Sequence, residues 1–355
     1  MKKRIIPIFV PHQGCPHDCI FCNQQKITGV CTTVTPDDVR DIIEKCLPTI
    51  DPDASVEIAF FGGSFTAIDP EIQKSLLAVA KEYVDKGVVQ DIRMSTRPDC
   101  IDDEILEMVK SYGTTIIELG VQSLDENVLV DSVRGHSARV VYKSAELIKK
   151  HGINLGLQMM VGLPSDTEEK CIYTAKEFIK MNPFCVRIYP TLVIKETGLE
   201  RLLESGEYKP LDLEKSISIV KKLLVLYNMH NINVIRVGLQ ATDDIQEGKD
   251  VVAGPYHPAF RELVESEMIK DYIDSVISGT DVSEIKIGVS RKNISKVIGN
   301  KKSNVQYIRN KYNASMKAVE MDISDDMMHI YADGNLVKKT DIDSIYRELY
   351  KIYEL

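Results

Sequence analysis

Three cysteines stand close together near the amino terminus, in Gly14-Cys15-Pro16-His17-Asp18-Cys19-Ile20-Phe21-Cys22-Asn23. Three thiolates on one short loop can converge on a single metal centre, and soft sulfur ligands favour zinc or an iron–sulfur cluster. The ligand count bears on how such a centre is used. A closed structural site normally takes four protein ligands, whereas three leave a coordination position open for chemistry. On a cubane cluster, three cysteines leave one iron free to bind the amino and carboxylate groups of a small molecule. A structural zinc site with His12 or His17 as fourth ligand also fits this spacing. Pro16, His17 and Asp18 make the loop too polar for three unrelated buried cysteines. The remaining five, Cys31, Cys46, Cys100, Cys171 and Cys185, are scattered, mostly in helical or strand patterns where cysteine acts as a small hydrophobe. Eight cysteines in 355 residues do not make a disulfide framework, and clustered thiols fit a reducing cytosol.

A second concentration of chemistry lies near the carboxyl terminus. Residues 285–317 hold nine Lys or Arg and no Asp or Glu, on a chain whose net charge is −9. Segregated positive charge on an acidic protein is the footprint expected for phosphate contact.

The elements that position these groups follow from periodicity. Strands are expected at Ile5–Val10, Val56–Phe61, Asp91–Ser95, Thr115–Val121, Ile153–Val161, Cys185–Ile194 and Asn233–Leu239. Helices are expected at Pro36–Leu47, Pro70–Lys86, Asp102–Ser111, Ala138–His151, Thr167–Met181 and Leu213–His230, with caps at Thr35, Asp69 and Asp212. Such alternation implies parallel strands joined by crossovers, in an open doubly wound sheet or a partial (β/α) barrel. Polar and glycine punctuation follows five successive strands: the cysteines, Gly62-Gly63-Ser64, Arg97-Pro98-Asp99, Gln122-Ser123 and Gly162-Leu163-Pro164. In these folds the chemistry lies beyond the carboxyl ends of the strands. No apolar run approaches the ~18 residues of a membrane helix. The basic start and six-residue apolar run Ile5 to Val10 contain Pro7 and lack a cleavage site, so a first strand is expected in a cytoplasmic protein.

Taken in register, these motifs resemble the radical S-adenosylmethionine (SAM) superfamily: the CxxxCxxC spacing after a first strand, Phe21 before the last cysteine, and the glycine pair after the second strand. Ser95-Thr96-Arg97-Pro98-Asp99, Gly120-Val121-Gln122-Ser123, Gly162-Leu163-Pro164 and Tyr189-Pro190-Thr191-Leu192-Val193-Ile194 resemble the radical domain of the Elongator catalytic subunit and its bacterial relatives. Similar segments occur in oxygen-independent coproporphyrinogen oxidases. The resemblance covers about residues 1–240 and reaches Gly206-Glu207-Tyr208-Lys209-Pro210. It implies a partial (β/α)6-type radical SAM barrel with Cys15, Cys19 and Cys22 holding a [4Fe–4S] cluster. It further implies a SAM site built from Phe21, Gly62, Gly63, Ser64, Gln122, Arg134 and Gln158. The glycine pair would hold the methionine amino group by backbone contact, Gln122 would meet the ribose or methionine portion, Arg134 would pair with the carboxylate, and Gln158 would reach the ribose hydroxyls. Ser95 departs from the pattern, since relatives commonly carry Glu there, and Arg97 is read as a structural anchor. The residues after Thr242 contain no strand–glycine-loop–helix segment for coenzyme A, so acetyl-CoA-dependent carboxymethyl chemistry is not expected.

The carboxyl-terminal order of elements, strand Ser283–Val289, helices Lys292–Ile298 and Asn304–Tyr312, strands Lys317–Asp322 and Met327–Ala332, helix Asp341–Tyr353, resembles a KH domain. Ile298-Gly299-Asn300-Lys301-Lys302 falls where its backbone-clamping GxxG loop belongs, with Lys302 in place of the second glycine. Arg291, Lys292, Lys296, Gly299, Lys301, Lys302 and Arg309 are the RNA-contact candidates. The expected division is a radical SAM core at 1–241, a linker and helical segment at 242–283, and a small α+β KH-like domain at 284–355.

The combined expectation is an enzyme that takes an electron from a low-potential donor such as a flavodoxin or ferredoxin. It would cleave SAM to methionine and a 5′-deoxyadenosyl radical, and abstract hydrogen from a nucleotide of tRNA or rRNA. A radical enzyme acting on a small metabolite, and an RNA-binding protein with a structural iron–sulfur or zinc site, are the alternatives. Tyr189 and Lys195 are read as structural rather than as radical relays.

Overall fold

Helices begin where the sequence offers an oxygen to the orphaned amides of a first turn. In the computed structural model, which describes residues 3–10, 19–23, 34–239 and 249–355, Thr35 and Asp38 form a capping box at α1 (Pro36–Cys46). Asp69 accepts from Glu71 and Ile72 at α2 (Pro70–Asp85), and Asp102 accepts from Ile105 at α3 (Asp103–Ser111). Asp125 caps α4 (Glu126–Asp131), α5 spans Ala138–Lys150, Thr167 caps α6 (Glu168–Met181), and Thr197 caps α7 (Gly198–Glu204). His12, Cys15, His17 and Cys31 lie outside the described residues.

Between these helices run β1 (Lys3–Val10), β2 (Ser55–Gly62), β3 (Asp91–Thr96), β4 (Thr114–Gln122), β5 (Asn154–Val161) and β6 (Cys185–Pro190). A two-residue strand β7 (Val193–Ile194) and β8 (Val234–Val237) follow. The sheet order is β1-β2-β3-β4-β5-β6-β8, every pair parallel, as helical crossovers require. It is a partial (β/α) barrel, curled but open. β7 pairs separately with β9 (Val251–Ala253). The expected single strand 185–194 is thus two, because the chain leaves the large sheet after Pro190. α4, α7 and β9 had no expectation; the two helices are only six and seven residues long, too short for a periodic signal.

One face of the large sheet carries charge. Arg93 on β3 bridges Glu57 on β2 at 2.7 Å and Glu118 on β4 at 2.8 Å, and Arg187 on β6 closes on Glu118 from the other side. All four are buried. Burial alone would push the Glu118 carboxyl up, but the Arg187 and Arg93 guanidiniums hold it below the usual carboxylate range. Two carboxylates against two guanidiniums let the sheet enclose charge without a net excess, as buried ions demand.

The chain divides into two compact units, Met1–Asp212 with Ile232–Tyr256, and Leu213–Asn231 with His257–Leu355. This cut differs from the 1–241, 242–283 and 284–355 division. α8 (Leu213–Met229) and α9 (Phe260–Ile277) pack with the carboxyl-terminal residues and with each other. Lys221 of α8 reaches Asp271 of α9 at 2.6 Å. The second unit continues with β10 (Glu284–Val289), α10 (Ile294–Ile298), α11 (Ser303–Tyr312), β11 (Ser315–Glu320), β12 (Met327–Ala332), β13 (Asn335–Asp341) and α12 (Ile342–Ile352). Its sheet order is β11-β10-β12-β13, with β10 parallel to β11 and antiparallel to β12. β13 is an exposed edge strand whose residues show no strand-like alternation.

Replacing Glu118 with Ala should take the buried carboxylate from Arg187 and leave Arg93 with Glu57 alone, and cost about 3–5 kcal/mol of stability in denaturant unfolding of the full chain. Since the folded carboxyl lies below its ordinary value, the Glu118 contribution should be complete above about pH 4.3 and lost as pH falls through the lower folded value.

Candidate active site

A cavity of about 130 Å³ opens at the carboxyl ends of β2 to β5. All seven residues expected at the SAM site, Phe21, Gly62, Gly63, Ser64, Gln122, Arg134 and Gln158, line it together with Cys19 and Cys22. Ser95, Thr96, Arg97 and Gly120 complete the wall. Cys15 lies outside the described residues.

The cysteine segment is pinned by its backbone. The Cys22 amide donates to the Cys19 carbonyl in a tight turn, the Ile20 amide donates to Ser132, and the Ile20 carbonyl accepts from Leu199. Phe21 packs into a cluster of Val193, Leu199 and Tyr208. Tyr208, from the Gly206-Glu207-Tyr208-Lys209-Pro210 stretch, donates its hydroxyl to the Gly162 carbonyl at 2.6 Å. This stretch, which follows α7 and precedes β8, thus buttresses the strand-end loop Gly162-Leu163-Pro164.

The glycine loop after β2 is tied down by a chain of hydroxyls whose proton directions can be deduced. Arg97 N–H donates to Ser64 Oγ at 2.9 Å, and Thr66 Oγ1 donates to the Cys100 carbonyl at 2.6 Å. Each hydroxyl has one proton, so Ser64 donates to Thr96 (2.9 Å) and Thr96 to Thr66 (2.6 Å). Thr96 is the centre of this relay. Sequence reading gave it no role, because its partners lie 30 and 32 residues away.

Gly120 makes room for two site residues. A Cβ there would lie 3.2 Å from Arg134 Nη2 and 3.3 Å from Gln122 Nε2. Gln122 follows a register shift in β4 and has φ of +73°, a left-handed conformation that turns its side chain into the cavity wall. Gln158 donates Nε2 to Glu118 at 3.0 Å and to Ser95 Oγ at 3.2 Å. The ionic array beneath the site therefore sets the amide's orientation, and Ser95 supports Gln158.

Positive charge gathers around Cys19. Arg134 donates Nη1 to Cys19 Sγ at 3.3 Å and Nη2 to the Gly120 carbonyl. Arg97 donates Nη1 to the same sulfur at 3.7 Å, grips Asp99 with Nε and Nη2, and bonds the Arg134 carbonyl at 2.6 Å. Burial would raise the Asp99 carboxyl, yet the Arg97 contact keeps it below its ordinary value. His136, buried and close to both arginines, is pushed down to about 4 by desolvation and then by Arg134 and Arg97. Of the five N–H groups of the Arg134 guanidinium, the contacts with Cys19 and Gly120 take one from each terminal nitrogen, and Nε has no hydrogen-bond partner among the described residues.

Comparison with known proteins places this geometry. Residues 9–178 match the Radical SAM superfamily, and residues 183–270 match the Radical_SAM C-terminal domain. The chain belongs to the radical SAM superfamily. Its cofactors are a [4Fe–4S] cluster and SAM. Among radical SAM relatives, Elongator complex protein 3 of Dictyostelium discoideum is 32% identical over 192 residues, 48% of this chain and 34% of that protein. The tRNA uridine(34) acetyltransferase of Methanocaldococcus infernus is 28% identical over 260 residues, 61% of this chain and 48% of that protein. The chain thus spans about a third to a half of the length of these relatives. The solved structure of the archaeal Methanocaldococcus infernus Elp3 with an N-terminus deletion (1–46) shares the fold, with a TM-score of 0.59 at 20% identity over 96% of this chain and 78% of that one.

The radical SAM cavity suits a polar ligand on an independent observation. Gln122 Oε1 and Arg134 Nε are buried without a hydrogen-bond partner among the described residues. One acceptor and one donor, orphaned in the same wall, are what a bound molecule with both functions would satisfy.

Thr96→Val keeps the shape of residue 96 but removes the middle of the hydroxyl relay. It should lower stability by about 1–3 kcal/mol, read as a shifted denaturant midpoint at unchanged slope.

Proposed function

We propose that Cys15, Cys19 and Cys22 ligate the cluster, that the cavity they border takes SAM, and that the substrate is a nucleotide in RNA, tRNA in the first instance. The observation that carries this reading is the convergence of two of the three cysteines and all seven expected cofactor residues on one cavity wall. Bound together and reduced by a low-potential donor, cluster and SAM supply a 5′-deoxyadenosyl radical capable of hydrogen abstraction. The chain's own residues bind and orient. The cysteine turn fixes Cys19 and Cys22, Gly62 (φ +106°) and Gly63 offer backbone without side chains, and Gln158 is held in one rotamer by Glu118 and Ser95. Gln122 Oε1 and Arg134 Nε provide an unmet acceptor and donor.

Support for RNA comes from two directions. The M. infernus relative is by name a tRNA uridine(34) acetyltransferase. In addition, the second unit presents uncompensated cations on the loop between α10 and α11. Of the seven RNA-contact candidates, Lys292 is paired with Asp325 at 2.6 Å and Lys296 with Glu265 at 2.8 Å. Arg291, Lys301, Lys302 and Arg309 are exposed and have no carboxylate partner among the described residues. Gly299, at φ +79°, is required by the loop: a Cβ there would meet Ser303 Oγ at 2.3 Å and the Asn304 amide at 2.9 Å. The proposed contact surface is therefore Arg291, Lys301, Lys302 and Arg309, with Gly299 shaping the loop.

Anaerobically reconstituted Cys19→Ala should show neither cluster absorbance nor 5′-deoxyadenosine formation; production retained in that variant would contradict the assignment. Changing Lys301 and Lys302 together to Ala should weaken tRNA binding and reduce the slope of log affinity against log salt by about 2, one for each lost phosphate contact. Wild-type binding that ignores salt would remove the RNA reading and leave a radical enzyme for small metabolites.

A further inference from the structure

Arg97 and Arg134 are nine-tenths or more buried, and each is locked by partners that leave one terminal N–H aimed at Cys19 Sγ. Arg97 has Nε and Nη2 fixed by Asp99 and by the Arg134 carbonyl. Arg134 has Nη2 fixed by the Gly120 carbonyl, at a strand position where an added Cβ would crowd the guanidinium at 3.2 Å. Neither side chain can swing away without breaking those bonds. Among the described residues, the Asp99 carboxylate beside them is taken by Arg97 at 2.9 Å.

Resting on the reading of Cys19 as a cluster ligand, we propose that Arg97 and Arg134 are redox-positioning residues. Their paired N–H···S hydrogen bonds to the Cys19 thiolate favour the one-electron-reduced cluster over the oxidised one. The physical reason is charge placement. Reduction adds one electron to the cluster, part of that charge resides on its sulfurs, and hydrogen bonds to ligating sulfur are among the determinants of cluster potential. Two fixed cations in a dry wall stabilise the added charge without reorganising, whereas water would have to reorient. A shared sulfur also explains why two guanidiniums, which repel, are held side by side: the thiolate between them is the compensating anion.

The test uses Arg97→Lys, Arg134→Lys and the double variant. These substitutions conserve charge but lose the fixed fork. Each protein is reconstituted anaerobically without SAM and titrated redox-potentiometrically, with the reduced cluster followed by electron paramagnetic resonance. At the potential that half-reduces the wild type, the reduced-to-oxidised ratio should fall about tenfold in the double variant, equivalent to about 59 mV for one electron, with smaller falls in each single variant. Midpoints equal to wild type in fully loaded variants would overturn the proposal. A measurement needing no variant guards against a lysine substitution that fails to load. In the reduced wild type labelled with 15N-arginine, double resonance should show arginine nitrogen coupled to the cluster spin, and no such coupling would overturn the proposal. A wild type that takes up no cluster would remove the underlying reading itself, whereas a loaded wild type showing neither effect sinks this inference alone.

Discussion

A parallel sheet built in sequence order has one consequence on which the rest of this structure depends. Every strand ends on the same rim. Residues 22, 62, 96, 122 and 158 are separated by about 26 to 40 positions in the chain, yet the register of β1 to β5 brings them to one cavity. No side-chain interaction has to gather them. The helical crossovers do so, provided the strands stay parallel and adjacent. Small changes at the strand ends can then set the chemistry while the sheet carries stability.

That arrangement leaves the interior of the curled sheet to be filled, and the sequence fills part of it with ions. Glu57, Arg93, Glu118 and Arg187 compensate one another's charge. Gln158 connects this layer to the cavity, because its amide donates down to Glu118 while the residue faces the site. A second charged layer, Asp99, Arg97, Arg134 and Cys19, lies at the rim. A satisfied polar network is rigid, and its few exceptions are therefore informative. Gln122 Oε1 and Arg134 Nε are such exceptions, and both belong to residues lining the cavity.

Much of this was legible in the sequence because the signals are local. Strand ends, caps at Thr35 and Asp69, and the glycine loop are each encoded within a few residues, and the expected strands other than 185–194 reappear within two residues of their limits. What was not legible depends on distant partners. Lys292 and Lys296 look like Lys301 and Lys302 in a list of charges, but Asp325 and Glu265 neutralise the first two. Arg134 was expected to hold a ligand carboxylate, and only the folded chain shows that Cys19 and Gly120 each take one N–H from its terminal nitrogens while Nε stays without a partner among the described residues. β13, Asn335–Asp341, escaped notice because an exposed edge strand buries almost nothing and so imposes no alternation on its side chains. Its Lys338 and Lys339 fit the usual protection of such an edge.

The loop between α10 and α11 shows how far local strain can be traced to a distant cause. Lys301 and Lys302 have φ of +50° and +66°, a region that non-glycine residues enter at a cost of about 1–2 kcal/mol each. Two consecutive costs of that kind persist only where the surroundings over-determine the backbone. Here the determinant is Asn304. Its buried amide donates to the Val297 carbonyl at 3.1 Å and the Lys296 carbonyl at 3.3 Å, and it also reaches Ser266 on α9. It thus satisfies the orphaned carbonyls at the end of α10 and ties the start of α11 to α9. The glycine missing at position 302 is therefore not a missing shape: the left-handed turn is present, enforced by packing, with a lysine where a glycine would have served. For the proposed RNA contact, this replaces close backbone approach with two ammonium groups carried on an ordered backbone turn. Such a loop can meet phosphates while reading no base.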